Sequence, residues 1–272
     1  MALTAKTLFP FSAVVVTGGS SGIGKSFIEH IGRLQPQIHF CNLSRRIPDI
    51  NVPKLKLRHF PCDLSDAAAV ARVADEVAAH LGRAVPAGKI LLINNSGFGS
   101  YGRFPEPNLA HQLEMIDVNI RAVVDLTGRL LPLLRERGGA IMNVASVAAF
   151  QPTAYMATYG ASKAFVLHWS LALNEELRGS GVRALAVCPG PVPTEFFKRA
   201  GLKQGAVPDV LGESCETVVR ASLRALAKGR GQMVPGWKSR VLAALSSSLP
   251  KPLAARLAAT VLERYRLKRA HA

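Results

Sequence analysis

Thr17-Gly18-Gly19-Ser20-Ser21-Gly22-Ile23-Gly24 follows an apolar run, Ala13–Thr17, and opens a segment of helical period, Ile23–Leu34. This stretch decides the fold. Glycine suits a chain that must turn with positive φ, and a diphosphate can approach backbone closely only where Cβ is missing. A helix starting directly behind such a turn offers free N–H groups and the positive end of its dipole. Strand, glycine turn and helix in this order make an anion cradle, so the expectation is a dinucleotide site built on Gly18, Ser20, Ser21, Gly22, Ile23 and Gly24.

Outward from the turn the alternation continues. Apolar runs at Ile38–Leu43, Leu57–Pro61, Lys89–Ile93, Ala140–Ala145 and Arg183–Val187, with a short one at Gln232–Val234, read as strands. Between them lie helical segments at Asp66–Leu81, Leu109–Arg137, Thr158–Arg178 and Glu213–Ala227. Most strand runs are apolar without alternation, as strands covered on both faces are. The pattern predicts an α/β fold, a Rossmann-type doubly wound parallel sheet of about seven strands with helices on both faces. It fills residues 1–235 as one catalytic, dinucleotide-binding domain. Beyond Pro235, Trp237–Leu245 and Leu253–Leu267, split by Pro250-Lys251-Pro252, read as amphipathic helices, a basic C-terminal extension over 236–272 packed on or beside that domain.

The second strand run ends in Asn42-Leu43-Ser44-Arg45-Arg46, where an adenosine ribose would lie. An acid there would bind a free 2′-hydroxyl. Arg45 and Arg46 favour a 2′-phosphate instead, so NADP(H) is the expected cofactor.

At this point the chain resembles the short-chain dehydrogenase/reductase family. The motifs are T-G-x-x-x-G-x-G at residue 17, Asp63-Leu64, Asn94-Asn95-Ser96-Gly97, Asn119, Ser146, Tyr159-x-x-x-Lys163, and Pro189-Gly190 with Thr194. They run in order over residues 10–235. Ser96 stands where the family usually has Ala. The resemblance implies that Asp63 and Leu64 flank the adenine, that Asn95 and Gly97 line the ribose side, and that Thr194 holds the nicotinamide carboxamide. Ser44, Tyr159, Lys163, Pro189, Gly190 and Val192 complete the implied cofactor contacts. It also implies catalysis by Asn119, Ser146, Tyr159 and Lys163. A phenol near pKa 10 needs help to exchange protons at neutral pH, and an ammonium four residues on along a helix lies close enough to favour its anion. Ser146 would hydrogen-bond the reacting oxygen, and Asn119 would interrupt the long helix and hold a water linking Lys163 to solvent.

Composition narrows the rest. With 272 residues, 49% of them hydrophobic, the chain is not of the disordered class. No apolar stretch reaches the length of a membrane span, and four scattered cysteines suggest a reducing compartment; the expected location is cytoplasmic. No histidine pairs at metal-ligand spacing. Net charge is +16, and residues 228–272 hold ten Lys/Arg against Glu263 alone. No nucleic-acid motif accompanies that charge, so no nucleic-acid partner is expected. The tail is expected to cap the pocket, with peripheral contact to an anionic membrane surface as the alternative. Phe98, Tyr101, Phe150 to Met156, and Val192 to Ala200 with Phe196 and Phe197 are expected to wall the substrate site. Their apolar character points to a fatty-acyl, lipid or steroid-like ketone, aldehyde or alcohol. A cofactor-binding regulator or a membrane-binding protein with little turnover is the competing class. A homodimer or homotetramer is expected through Ala122, Val123, Leu126, Leu130, Phe165, Trp169 and Leu173.

Overall fold

The computed structural model describes residues 11–85, 87–196, 200–201 and 212–264. Its strands are β1 (Phe11–Thr17), β2 (His39–Ser44), β3 (Lys56–Pro61), β4 (Lys89–Asn94), β5 (Gly139–Val144), β6 (Val182–Val187) and β7 (Gln232–Met233). They form one parallel sheet in the order β3-β2-β1-β4-β5-β6-β7. The crossover direction reverses between β1 and β4, and in such sheets ligands bind where the strand ends part at that point.

Helices α1 (Gly22–Leu34) and α6 (Cys215–Ala227) cover one face; α2 (Ala67–Ala84), α4 (Ala122–Arg137) and α5 (Ala157–Glu176) cover the other. The strand period of two sorts β1 between the layers. Val14 and Val16 pack with Phe27, Ile28 and Ile31, while Ala13 and Val15 pack with Val73, Val77 and Leu126. Both sets are fully buried, which is why the run reads as apolar throughout.

The expected long helix Leu109–Arg137 is divided. Helix α3 (Leu109–Ile116) passes through a wide π-type turn at Asp117–Arg121 before α4 begins. No glycine or proline marks that turn in the sequence; the carboxamide of Asn119, bonded sideways to Phe98, accompanies it. Glu213 lies in a loop and not in α6, whose cap is the Ser214 hydroxyl, accepting from the Thr217 N–H. The tail forms α7 (Trp237–Ser248) and α8 (Lys251–Arg264). Residues 265–267, expected to be helical, and Phe197 lie outside the described residues.

The expected contact face needs correction. Ala122, Val123, Leu126, Leu130 and Leu173 are buried in the chain's own core, because their helical phase turns them to the sheet. Phe165 is exposed as expected and Trp169 is half-buried against the core; Leu109, Leu113, Ile116 and Val124 are exposed as well.

Candidate active site

The glycine turn is held from three sides. Gly18 and Gly22 have φ of +69° and +55°, and a Cβ on Gly18 would stand 2.6 Å from Ser96 Oγ. The Gly19 N–H donates to Asn42 Oδ1 at 2.8 Å, and Asn95 Nδ2 donates to the Thr17 carbonyl at 3.0 Å. The Thr17 hydroxyl accepts from the N–H groups of Asn95 and Ser96, tying β1 to the end of β4. Ser21, the N-cap of α1, makes no side-chain cap bond. The first-turn N–H groups of this helix have no intrahelical partner and suit an anion.

A cavity of about 830 Å³ begins at this turn. Gly18, Ser20, Ser21, Gly22, Ile23, Ser44, Arg45, Arg46, Asp63, Leu64, Asn95 and Gly97 line one end; Ser146, Tyr159, Lys163, Pro189, Gly190, Val192 and Thr194 line its middle. Gly24 and Asn119 stand behind the wall. A Cβ on Gly24 would lie 2.4 Å from the Gly18 carbonyl, so this glycine lets α1 pack against the turn. Asn119 is 1% exposed; its amide donates to the Phe98 carbonyl and Ser162 Oγ, and its Oδ1 accepts from the Phe98 N–H. That side chain braces the loop after β4 beside Lys163. A Cβ on Gly97 would meet both Asn119 Oδ1 and Lys163 Nζ at 3.0 Å, a tight approach that glycine avoids.

Charged groups collect at the adenosine end. Arg45 stands 3.7 Å from Asp63 and 3.8 Å from Glu114, and Arg46 is 3.0 Å from Glu195. These pairs are solvent-exposed, and exposed pairs contribute about 0–1 kcal/mol, so a phosphate can compete for either guanidinium. Asp63 accepts from the Ser65 N–H and hydroxyl, which, with Arg45 close by, holds its carboxyl below the usual range.

In the middle, burial dominates. It pushes the Tyr159 phenol up to about 12, against a hydrogen bond from Ser146 that favours the anion. It pushes Lys163 down to about 8. Lys163 Nζ donates to the Val144 carbonyl at 2.8 Å and sits 5.9 Å from the centre of the Tyr159 ring. Here the hydrogen bond that favours the phenolate comes from Ser146, and burial keeps the Tyr159 proton in place at neutral pH. A held proton suits an acid, the role needed for reduction.

The far end is apolar. Phe98, Met156 and Phe196 surround Tyr159, with the Phe196 ring 5.2 Å from the phenol ring. Leu242 and Leu245 of α7, Leu257 and Val261 of α8, and Leu249 between the two helices close it. Tyr101 and Phe150 do not line it. The Tyr101 hydroxyl donates to the Leu262 carbonyl at 2.6 Å, and the Phe150 carbonyl accepts from Lys251 at 3.3 Å, so both anchor the tail. A further anchor went unread in the sequence. Glu213 accepts from the Ser239 hydroxyl at 2.8 Å, and Ser239 packs where a Cβ on Gly190 would stand. Nothing in the spacing of residues 190, 213 and 239 signals that contact.

A family model described as short chain dehydrogenase matches residues 12–205. The chain is 41% identical over 119 residues to serine 3-dehydrogenase of Rhizobium radiobacter, across 43% of this chain and 47% of that protein, about half the relative's length. It is 33% identical over 200 residues to the uncharacterized oxidoreductase YbbO of Escherichia coli K12, across 72% of this chain and 71% of that one. A short-chain dehydrogenase from Sphingobium yanoikuyae, solved in complex with NADPH, superposes with TM-score 0.71 at 26% identity, covering 96% of this chain and 98% of its own. With its glycine turn, its sheet order and its Ser146, Tyr159 and Lys163 set, the chain belongs to the short-chain dehydrogenase family of oxidoreductases.

Proposed function

We propose that the chain is an NADP(H)-dependent oxidoreductase interconverting an apolar ketone or aldehyde and its alcohol, with Tyr159 as the acid or base. The carrying observation is the single cavity in which a diphosphate cradle, a buried tyrosine–lysine–serine set and a leucine-rich chamber follow one another. The residues suit the cofactor: Gly18 and Gly97 line the cavity without side chains, α1 opens with N–H groups free for a diphosphate, and the guanidiniums of Arg45 and Arg46 stand beside the same cavity to take a 2′-phosphate.

The bound nicotinamide supplies or accepts the hydride. Ser146 and Tyr159 would hold the substrate oxygen between a hydroxyl and a phenol, where negative charge develops during reduction. Tyr159 then gives its proton to that oxygen. Lys163 would favour the phenolate left behind, and the wide turn at Asn119 would carry the water through which that phenolate is reprotonated. Phe98, Met156, Phe196 and the tail leucines exclude water and prefer an apolar substituent.

Arg45→Ala with Arg46→Ala tests the cofactor assignment. Each charge-assisted contact is worth roughly 1.5–3 kcal/mol, so NADPH should weaken at least about tenfold while NADH changes little. Equal loss for both cofactors by fluorescence titration sinks the NADP(H) assignment. Binding of NADPH without turnover of any ketone across an acyl-chain series would instead favour a cofactor-sensing protein.

A further inference from the structure

We infer that α7 and α8 dock the mouth of the pocket on an anionic phospholipid surface. The two helices are inverted. Their buried positions carry small residues, Ser239, Ala243 and Ser246 on α7, Ala254 and Ala258 on α8, each at most 7% exposed. Their large apolar residues are exposed, between 45% and 67%: Trp237, Val241 and Leu253 outside the cavity, and Leu245, Leu257 and Val261 at its edge. Within each helix the spacing is four residues, so the three on each helix form one stripe along one face. A surface helix normally does the opposite.

The stripes are continuous with the pocket. Leu245, Leu257 and Val261 also line the cavity, so an apolar path runs from outer surface to Tyr159. Cations flank it: Lys238, Arg240 and Arg256 are exposed on the same two helices, while Lys251 reaches the Phe150 carbonyl. Glu263, the one acid between residues 229 and 264, is engaged by the Tyr155 hydroxyl at 3.3 Å. Outward leucine and valine, a tryptophan at the edge and a rim of lysine and arginine are the chemistry of a helix lying in the interface of an acidic bilayer. Seated so, the mouth opens toward lipid, and an apolar ketone enters without crossing water. Only this route of entry rests on the proposed reductase activity; the docking stands without it.

The test is sedimentation of the full chain with phosphatidylcholine vesicles, with and without phosphatidylglycerol, in the absence of substrate. Expected are binding to the acidic vesicles, a blue shift of tryptophan emission that Trp237→Phe removes, and release at high salt. Trp237→Ser, Val241→Ser and Leu253→Ser together, none of which lines the cavity, should cut partitioning at least about tenfold with NADPH affinity and thermal midpoint retained. Equal binding to neutral vesicles, or undiminished binding by the triple variant, overturns the proposal. So does a triple variant that turns from dimer to monomer, which would assign the stripes to a second copy. Acidic-vesicle binding in a chain that reduces no ketone supports the docking and counts against the reductase reading alone.

Discussion

Tyr159→Phe removes one phenolic oxygen with its proton and leaves the ring against Phe196. General acid catalysis supplies about 10²–10⁴ in rate, so kcat should fall by that factor while NADPH affinity holds. Retention of more than about a tenth of kcat in stopped-flow reduction would place the acid elsewhere. Lys163 makes a separate forecast. For NADPH, kcat/KM reports the free protein, in which burial holds this ammonium near 8. Deprotonation above that pH removes the charge opposite the cofactor, so kcat/KM should decline as pH rises through about 8. Lys163→Arg, slower but charged throughout, should flatten that limb; a limb unchanged in the Arg variant assigns it to another group. The positions of Tyr159, Lys163, Ser146 and the paired arginines are legible in the sequence because each sits in a short local pattern. Asn42 under Gly19, Asn95 across β1, and Glu213 with Ser239 are not, because each acts on residues far along the chain.

At the scale of elements, α7 and α8 decide what the pocket accepts. Their half-exposed leucines at the cavity edge close its apolar end, and Tyr101, Lys251 and Ser239 pin them to three loops around it. Truncation after Pro235 should therefore raise KM for long-chain ketones and leave small soluble ketones little changed. A tenfold rise corresponds to about 1.4 kcal/mol, the burial of roughly two methylenes at ~0.8 kcal/mol each, a small part of what five leucine and valine side chains cover. The thermal midpoint should drop as well, since the surface that buried Ala243, Ala254 and Ala258 cover is laid open. Unchanged KM across the chain-length series, with an unchanged midpoint, would deny the tail any part in the pocket. Two amphipathic helices after the last strand are readable from period and proline alone. Which stripe faces inward is not, because small residues make the buried side here and large ones the exposed side. The division of α3 from α4 is not legible from local propensity, since Val118, Asn119 and Ile120 are ordinary helix residues; the family resemblance alone implies an interruption at Asn119, where the turn is found with its bonds to Phe98 and Ser162.

Across the whole molecule, two exposed apolar surfaces coexist with a net charge of +16, and salt separates their roles. Leu109, Leu113 and Ile116 on α3, Val124 on α4 and Phe165 on α5 form the surface that a symmetric contact between copies would cover. The ring of Phe165 stacks on Trp169, which packs on the core, so this face is rigid enough to serve. Two copies each carrying +16 repel, and added salt screens that repulsion over a Debye length of about 10 Å at 0.1 M. Association through the helix face should therefore tighten as salt rises. Vesicle binding through the tail, an attraction between opposite charges, should weaken over the same range. Light scattering at micromolar concentration should give a dimer or tetramer whose mass is held or increased by salt. Ile116→Lys with Phe165→Glu should return it to monomer without loss of NADPH binding. A monomer at every salt concentration contradicts the assembly, and an oligomer that dissolves as salt rises would place the contact on charged residues and away from this face.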